Sequence, residues 1–281
     1  IWLDGVEVSK LDHNLNEALS TSWSPVALQE NKGMAFSGTY IHGNGFFISN
    51  QQREMIEASD PKSLDVVRRH LGGKDLNTQP DLIGSRWVLD FGEIDISEAI
   101  KFTSAFKIIE EQVKPHRQKI DEKTGKFKLP DPMPRLYWQY WRTKSRYYSR
   151  IRKLESVIAI AQVSNTAQVA IVDPNSVLDA KLIVFCFDDF HHFGILSSSI
   201  HLIWGFSRCT TMKNDFTYTP STLFETYPFS ETALKVAKIA EELNTYRNSL
   251  MISQNIGLTK VYNKYNSPEN DETVIEKLRD L

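Results

Sequence analysis

Cysteine is scarce. Cys186 and Cys209 are the two in 281 residues, too few for a disulfide framework and without metal-ligand spacing. A reducing cytoplasm is the expected compartment. Long apolar runs are missing too: the strongest, Leu182 to Phe187, has six residues, where a bilayer span needs ~20. No membrane is therefore expected among the partners. The chain begins at Ile1 and shows no charged-then-apolar leader, so it reads as a piece of a longer polypeptide. With 41% hydrophobic and 24% charged residues, disorder and collagen-like structure are excluded. The length predicts about two domains at roughly 150 residues each.

Catalytic signatures are also lacking. Gly43-Asn44-Gly45 continues to Ile48 where a dinucleotide loop needs glycine. Asp90-Phe91-Gly92 spells the kinase metal triplet without a glycine-rich loop or His-Arg-Asp. Pro80-Asp81 with Asp90 lacks the lysine that completes a nuclease pair, because Gly92 stands there. Gly194-Ile195-Leu196-Ser197 is not a nucleophile elbow. Asp188-Asp189-Phe190-His191-His192 offers metal-ligating side chains, but adjacent histidines on a strand point to opposite faces, so a polar strand end is the expectation and no metal is assigned. None of the 11 prolines adjoins another and none precedes a cysteine. The Pro-Pro-aromatic motif that holds a flipped adenine or cytosine, and the Pro-Cys nucleophile, are thus both absent.

What is present is an uneven charge. Between Lys114 and Lys153 lie 13 of the 33 Lys/Arg but three of the 35 acids. This block carries +10 and the rest of the chain −12, so a net charge of −2 conceals a local polyanion site. Phe127, Tyr137, Trp138, Tyr140, Trp141, Tyr147 and Tyr148 interleave with it. Cations neutralise phosphates, while rings stack on bases or pack the scaffold behind the cations. The spacing puts Trp138 and Trp141 on one helical face, expected in the core, and Arg142, Arg146 and Arg150 on another.

Along the chain, Ser49 with Gln52 predicts a capped helix. Leu64, Val67 and Leu71 predict a second, stopped at Gly72-Gly73. Arg86 to Phe91 alternates as a strand. Ser97 opens a helix running to Pro115. Residues 118–134 read as loop. Val157 to Val163 and Gln168 to Val172 predict a strand pair joined by a polar tip, and Lys181 to Phe187 a buried strand. Gly194 to Phe206 predicts one helix. The tail predicts a long helix from Glu231 to Leu250, set apart and docked through Leu234, Leu243 and Leu250, then two shorter helices.

Several runs together resemble the C-terminal part of the MmeI-like (type IIL) restriction–modification enzymes and their methylase-only relatives. These are Ala35-Phe36-Ser37-Gly38 with Gly43-Asn44-Gly45-Phe46, and Pro80-Asp81 with Ser85-Arg86-Trp87-Val88-Leu89-Asp90-Phe91-Gly92. Trp138 and Trp141 followed by arginines come next, then Ile160-Ala161-Gln162-Val163-Ser164. Asp189-Phe190-His191, Phe193-Gly194-Ile195-Leu196-Ser197-Ser198, Tyr218-Thr219-Pro220-Ser221-Thr222 and Phe224-Glu225-Thr226-Tyr227-Pro228-Phe229 complete the series. They stand in family order over about residues 30 to 265.

The resemblance implies an α+β fold: a mixed α/β target recognition domain with short twisted sheets at 31–227, then a helical C-terminal domain at 228–281. Residues 1–30 are the linker or the end of a preceding methylase region. It implies recognition of double-stranded DNA on behalf of an S-adenosylmethionine-dependent adenine-N6 methyltransferase. The methylase core lies elsewhere in the same polypeptide, sometimes with an endonuclease. The fragment itself then carries no catalytic residue and no cofactor; S-adenosylmethionine belongs to the parent's methylase domain. Expected phosphate contacts are Arg86, Arg135, Arg142, Lys144, Arg146 and Arg150; Ser198, Tyr218 and Thr222 are added mainly on the resemblance. The tip Ser164, Asn165 and Thr166 with Gln168 is the expected base reader, since Asn and Gln pair bidentately with adenine. The alternative is a protein-interaction module that docks an acidic partner on the basic face.

Overall fold

A computed structural model of the chain describes residues 2–3, 5–7, 25–208, 210–212, 215–230 and 234–281. It opens on a two-stranded ladder, β1 (Trp2–Leu3) and β2 (Val6–Glu7). β3 (Ala35–Ser37) and β4 (Phe47–Ile48) follow, then α1 (Asn50–Ser59). The cap of α1 is the expected one: Gln52 N–H donates to Ser49 Oγ at 3.1 Å, and Ser49 N–H to Gln52 Oε1 at 2.9 Å.

Residues 61–71 depart from the expected helix. A 3-10 segment at Pro61–Val66 leads into β5 (Val67–Leu71). The apolar spacing at 64, 67 and 71 suits a helix, but β5 finds partners on both sides, and those ladder bonds override the local pattern. Next come α2 (Gly73–Thr78) and β6 (Arg86–Leu89). The helix expected from Ser97 to Pro115 is broken into α3 (Ile96–Ala99), α4 (Thr103–Ile108), a π turn at Ile109–Val113 and α5 (Lys114–Arg117).

Residues 118–134 form the predicted loop. α6 (Ser145–Ile151) begins later than expected, after Lys144 in the left-handed region. Arg146 and Arg150 therefore share a helical face, and Arg142 lies outside the helix. Trp138 and Trp141 also part: Trp138 is buried, its Nε1–H bonded to Ile94 O, while Trp141 is 37% exposed.

β7 (Val157–Ala161), β8 (Val163–Ser164), β9 (Val169–Val172), β10 (Val177–Leu178) and β11 (Leu182–Phe185) build most of the remaining sheet structure. The helix expected at 194–206 is two helices, α7 (Phe190–Ser197) and α8 (Ser199–Arg208), divided at Ser198. β12 (Thr210–Met212) and β13 (Asp215–Thr217) precede the tail helices α9 (Leu234–Gln254), α10 (Leu258–Tyr265) and α11 (Thr273–Asp280). No helix among the described residues is long and apolar enough to cross a membrane.

The central sheet, in order β3-β11-β7-β9, is antiparallel throughout. β7 and β11 are buried on both faces, and strand period 2 sorts their side chains. Val157, Ala159, Ala161, Leu182 and Val184 face a core shared with Met251, Leu258, Val261, Ile275 and Leu278 of the tail helices. Ile158, Ile160, Ile183 and Phe185 face Phe193, Leu196, Phe216 and Phe224. The tail is thus joined to the sheet through one continuous core, Leu250 buried in it and Leu243 packed against it. The first three tail residues, 231–233, and the Leu234 side chain lie outside the described residues. Arg247 of α9 is fully buried and donates to Val169 O of β9 at 3.0 Å.

A second sheet, β10-β5-β6-β4, forms its own core with Ile56, Phe106, Ile109, Tyr137, Trp138 and Tyr140. Tyr148 of α6 ties the two sheets together. Its hydroxyl accepts from Leu178 N–H at 2.9 Å and lies 3.2 Å from Thr39 Oγ1. Burial pushes this phenol up to about 12. The third sheet, β12-β13-β8, lies at the end of the β7–β9 hairpin.

Candidate nucleic-acid interface

The basic block folds into two kinds of cation. Some are engaged within the protein. Arg135 makes a bidentate pair with Asp131 at 2.7 Å, Arg152 pairs with Asp90 at 2.8 Å, and Lys114 pairs with Glu110 at 2.8 Å. Arg117 turns inward and is 1% exposed. Four others form a row, and the remaining five, Lys119, Lys123, Lys126, Lys128 and Lys153, make no ion pair among the described residues. Arg142, Lys144, Arg146 and Arg150 make no ion pair with a carboxylate among the described residues. Arg142, Arg146 and Arg150 are exposed and Lys144 is half-buried.

This row is laid along residues 33–42, an association that sequence spacing does not show. Tyr40 and Arg142 form a β-bridge, Phe36 stacks on Tyr147 at 4.3 Å, and Arg150 Nη1 donates to Gly33 O at 3.4 Å. Where the two segments meet, Tyr40 and Trp141 stand 5.9 Å apart, edge to face, and His42 meets Trp141 at 5.7 Å. Between them opens a recess of about 250 Å3, lined also by Ser37, Gly38, Arg142 and Lys144. Gly38 is required there, because a Cβ would lie 2.3 Å from the carbonyl oxygens of Leu178 and Asp179.

The recess is held under strain. His42 and Lys144 have φ of 59° and 55°, left-handed conformations that cost non-glycine residues ~1–3 kcal/mol each. Arg117 braces both walls from below. Its Nη2 donates to Ile41 O at 3.0 Å and His42 O at 3.3 Å, and its Nη1 to Tyr137 O at 3.4 Å and to Gln139 O. Desolvation lowers this guanidinium to about 10. Thr143 donates to Glu93, and Ser145 also hydrogen-bonds it; these hydroxyls hold that carboxyl below its ordinary range and steady the backbone around Lys144. Burial, with the charge of Arg142, lowers Lys144.

Arg86 sits apart, at the opposite end of β6 from Asp90. It lies over the Phe47 ring at 4.0 Å. Beside it, Arg69 and Arg53 flank Trp87 at 3.8 and 4.9 Å. Arg53 pairs with Glu57, whereas Arg68, Arg69 and Arg86 have no carboxylate partner among the described residues.

The neutral candidates are placed differently. Ser164, Thr166 and Gln168 are buried, and they satisfy one another. Ser164 Oγ accepts from the Thr166 and Ala167 N–H groups, and Gln168 Nε2 donates to Thr166 O. The tip is an ST-turn folded against the body, and Asn165 is its one exposed residue. Asn165, Thr166, Gln168 and Ser198 line a cavity of about 570 Å3 beside α9. Tyr218 is 1% exposed, its hydroxyl 3.0 Å from His201 Nε2. Thr222 is exposed in a turn and donates to Thr219 O. Asp189 serves as the N-cap of α7, its Oδ1 accepting from His192 N–H at 2.8 Å. Among the described residues no three His, Cys, Asp or Glu side chains are grouped to hold a metal.

Ser37 and Tyr40 in the recess, and His42 beside it, are residues that spacing did not single out. Their pairing partner, Arg142 opposite Tyr40, lies about a hundred residues away. The family model described as MmeI, target recognition domain, matches residues 21–231, three quarters of the chain. The chain belongs to the MmeI target recognition domain family. The solved structure of the type IIL restriction–modification enzyme MmeI in complex with DNA is similar in fold, with a TM-score of 0.67 at 16% identity. That similarity covers 98% of this chain and 35% of the enzyme, so the chain spans about a third of the enzyme's length. No curated protein matches the chain. The recess, the cation row and the ST-turn all fall within the matched MmeI recognition-domain region.

Proposed function

We propose that this chain grips and reads double-stranded DNA for an S-adenosylmethionine-dependent adenine-N6 methyltransferase whose catalytic core lies elsewhere in its polypeptide. The observation that carries the reading is the row Arg142, Lys144, Arg146 and Arg150, without a carboxylate partner among the described residues and flanked by the exposed rings of Tyr40 and Trp141. Phosphates spaced along a duplex satisfy such a row, and grip of this kind fixes register without reading sequence. Membership in the MmeI recognition-domain family supports the same reading, as does the DNA-bound state of the structurally similar enzyme.

Four phosphate contacts set a slope of log K against log salt near −3.6, at ~−0.9 per contact. Arg146→Gln is expected to flatten that slope by about one and to weaken all duplex sequences alike. Fluorescence anisotropy at several salt concentrations measures both. A slope near zero, or an unchanged slope in Arg146→Gln, overturns the assignment.

Base reading falls to Asn165, the member of the turn whose side chain reaches solvent. In the full-length parent enzyme, Asn165→Ala is expected to relax preference at one base pair by ~1–3 kcal/mol, with little change in non-specific affinity. Gln168→Ala instead removes a bond inside the turn, so its effect is expected in stability. Methylation of a randomised target library reads the first and a urea melt the second. An unaltered consensus for Asn165→Ala places the reading surface elsewhere.

A further inference from the structure

The recess between Tyr40 and Trp141 has features that phosphate grip does not use. These two rings are 47% and 37% exposed, although their neighbours Tyr137, Trp138 and Tyr140 are buried. A row of cations needs no such rings, and solvent is an unfavourable place for them. The rings meet at 66°, forming a corner. A planar group stacked on one ring therefore presents its edge to the other.

The remaining wall is cationic. Arg142 and Lys144 line the recess, and among the described residues no carboxylate does. Lys144 is partly desolvated there, and the charge of Arg142 adds to its cost, so an anion at this point relieves both. The strained backbone at His42 and Lys144, and the buried Arg117 beneath, keep the corner open.

We propose that this recess is a nucleotide subsite, taking one unstacked nucleotide of bound DNA with its base in the Tyr40–Trp141 corner and its phosphate on Arg142 and Lys144. The proposal rests on the DNA-binding reading above and adds to it. Bases inside a duplex have both faces covered by their neighbours, so an aromatic corner selects a nucleotide turned out of the stack. Stacking on aromatic side chains tolerates any base, so the subsite contributes affinity for the distorted strand and little sequence preference.

The test uses the full chain and two short duplexes of one sequence, fully paired and carrying a single-nucleotide 2-aminopurine bulge. The bulge removes the cost of unstacking. The bulged duplex is expected to bind about tenfold tighter, with quenching of the 2-aminopurine emission on the rings. In Tyr40→Leu and in Trp141→Leu, both at exposed positions, the two duplexes are expected to bind equally and the quenching to vanish. Equal binding of both duplexes by the unaltered protein overturns the subsite and leaves the duplex reading standing. A bulge preference that survives both substitutions overturns it as well. Binding of neither duplex overturns the duplex reading, and the subsite with it.

Discussion

Arg117→Met is expected to lower the unfolding free energy by about 3–5 kcal/mol. The guanidinium reaches four backbone carbonyls, on Ile41, His42, Tyr137 and Gln139, from a position 1% exposed. Each buried acceptor left without a donor costs about 1–3 kcal/mol, and the relief of desolvating a cation offsets part of the sum. Arg117→Lys is expected to recover only part of the loss, because a single ammonium cannot span the two chain segments at 41–42 and 137–139 as a planar fork does. Denaturant melts of both variants give the comparison. Since Arg117 braces the walls of the Tyr40–Trp141 recess, Arg117→Met protein that remains folded is also expected to lose duplex affinity. A stability loss below about 1 kcal/mol would show that the carbonyls find other donors and that the brace is dispensable.

Acid is expected to destabilise the protein through His201. This ring is 3% exposed on α8, edge-on to Tyr227 at 4.6 Å and bonded to the Tyr218 hydroxyl. Burial lowers its pKa from 6.5 to about 4. The unfolded chain binds a proton below about pH 6.5 and the folded chain does not until about pH 4. Stability is therefore full above pH 6.5 and falls as the pH drops, by about 1.4 kcal/mol per unit, to a total near 3 kcal/mol. Tyr218 and Tyr227 add no charge in this window, since burial raises both phenols. His201→Gln keeps a polar partner for Tyr218 and removes the titration, so its urea midpoint is expected to vary less between pH 7 and pH 4.5. Parallel profiles for the two proteins would assign the acid sensitivity to other groups.

Elements whose burial is dictated by short-range pattern were legible. Val157 to Ala161 and Leu182 to Phe185 are apolar throughout and became central strands. Ser49 with Gln52 announced a capping box that needs four residues and no tertiary partner. Where a partner decides, the pattern misled. Val67 to Leu71 carries helical spacing but sits between two strands, and the stretch from Ser97 to Pro115 is broken into four pieces as it follows the second core. The polar tip at 164–168 reads as an outward loop, yet its hydroxyl and amide groups close on their own backbone.

The sequence by itself determined the family and the position of the basic block, because both reside in residue identity and order. Charge counts, however, carry no direction. Tertiary structure decided that Arg117 turns inward, that Arg135 and Arg152 find carboxylates, and that Arg142, Lys144, Arg146 and Arg150 find none among the described residues. It also decided that Tyr40 meets Trp141, a contact between segments about a hundred residues apart. The physical reason is range. Helix caps and strand periodicity act over a few residues, whereas desolvation and ion pairing depend on which distant segments share a surface, and that is settled only when the cores close.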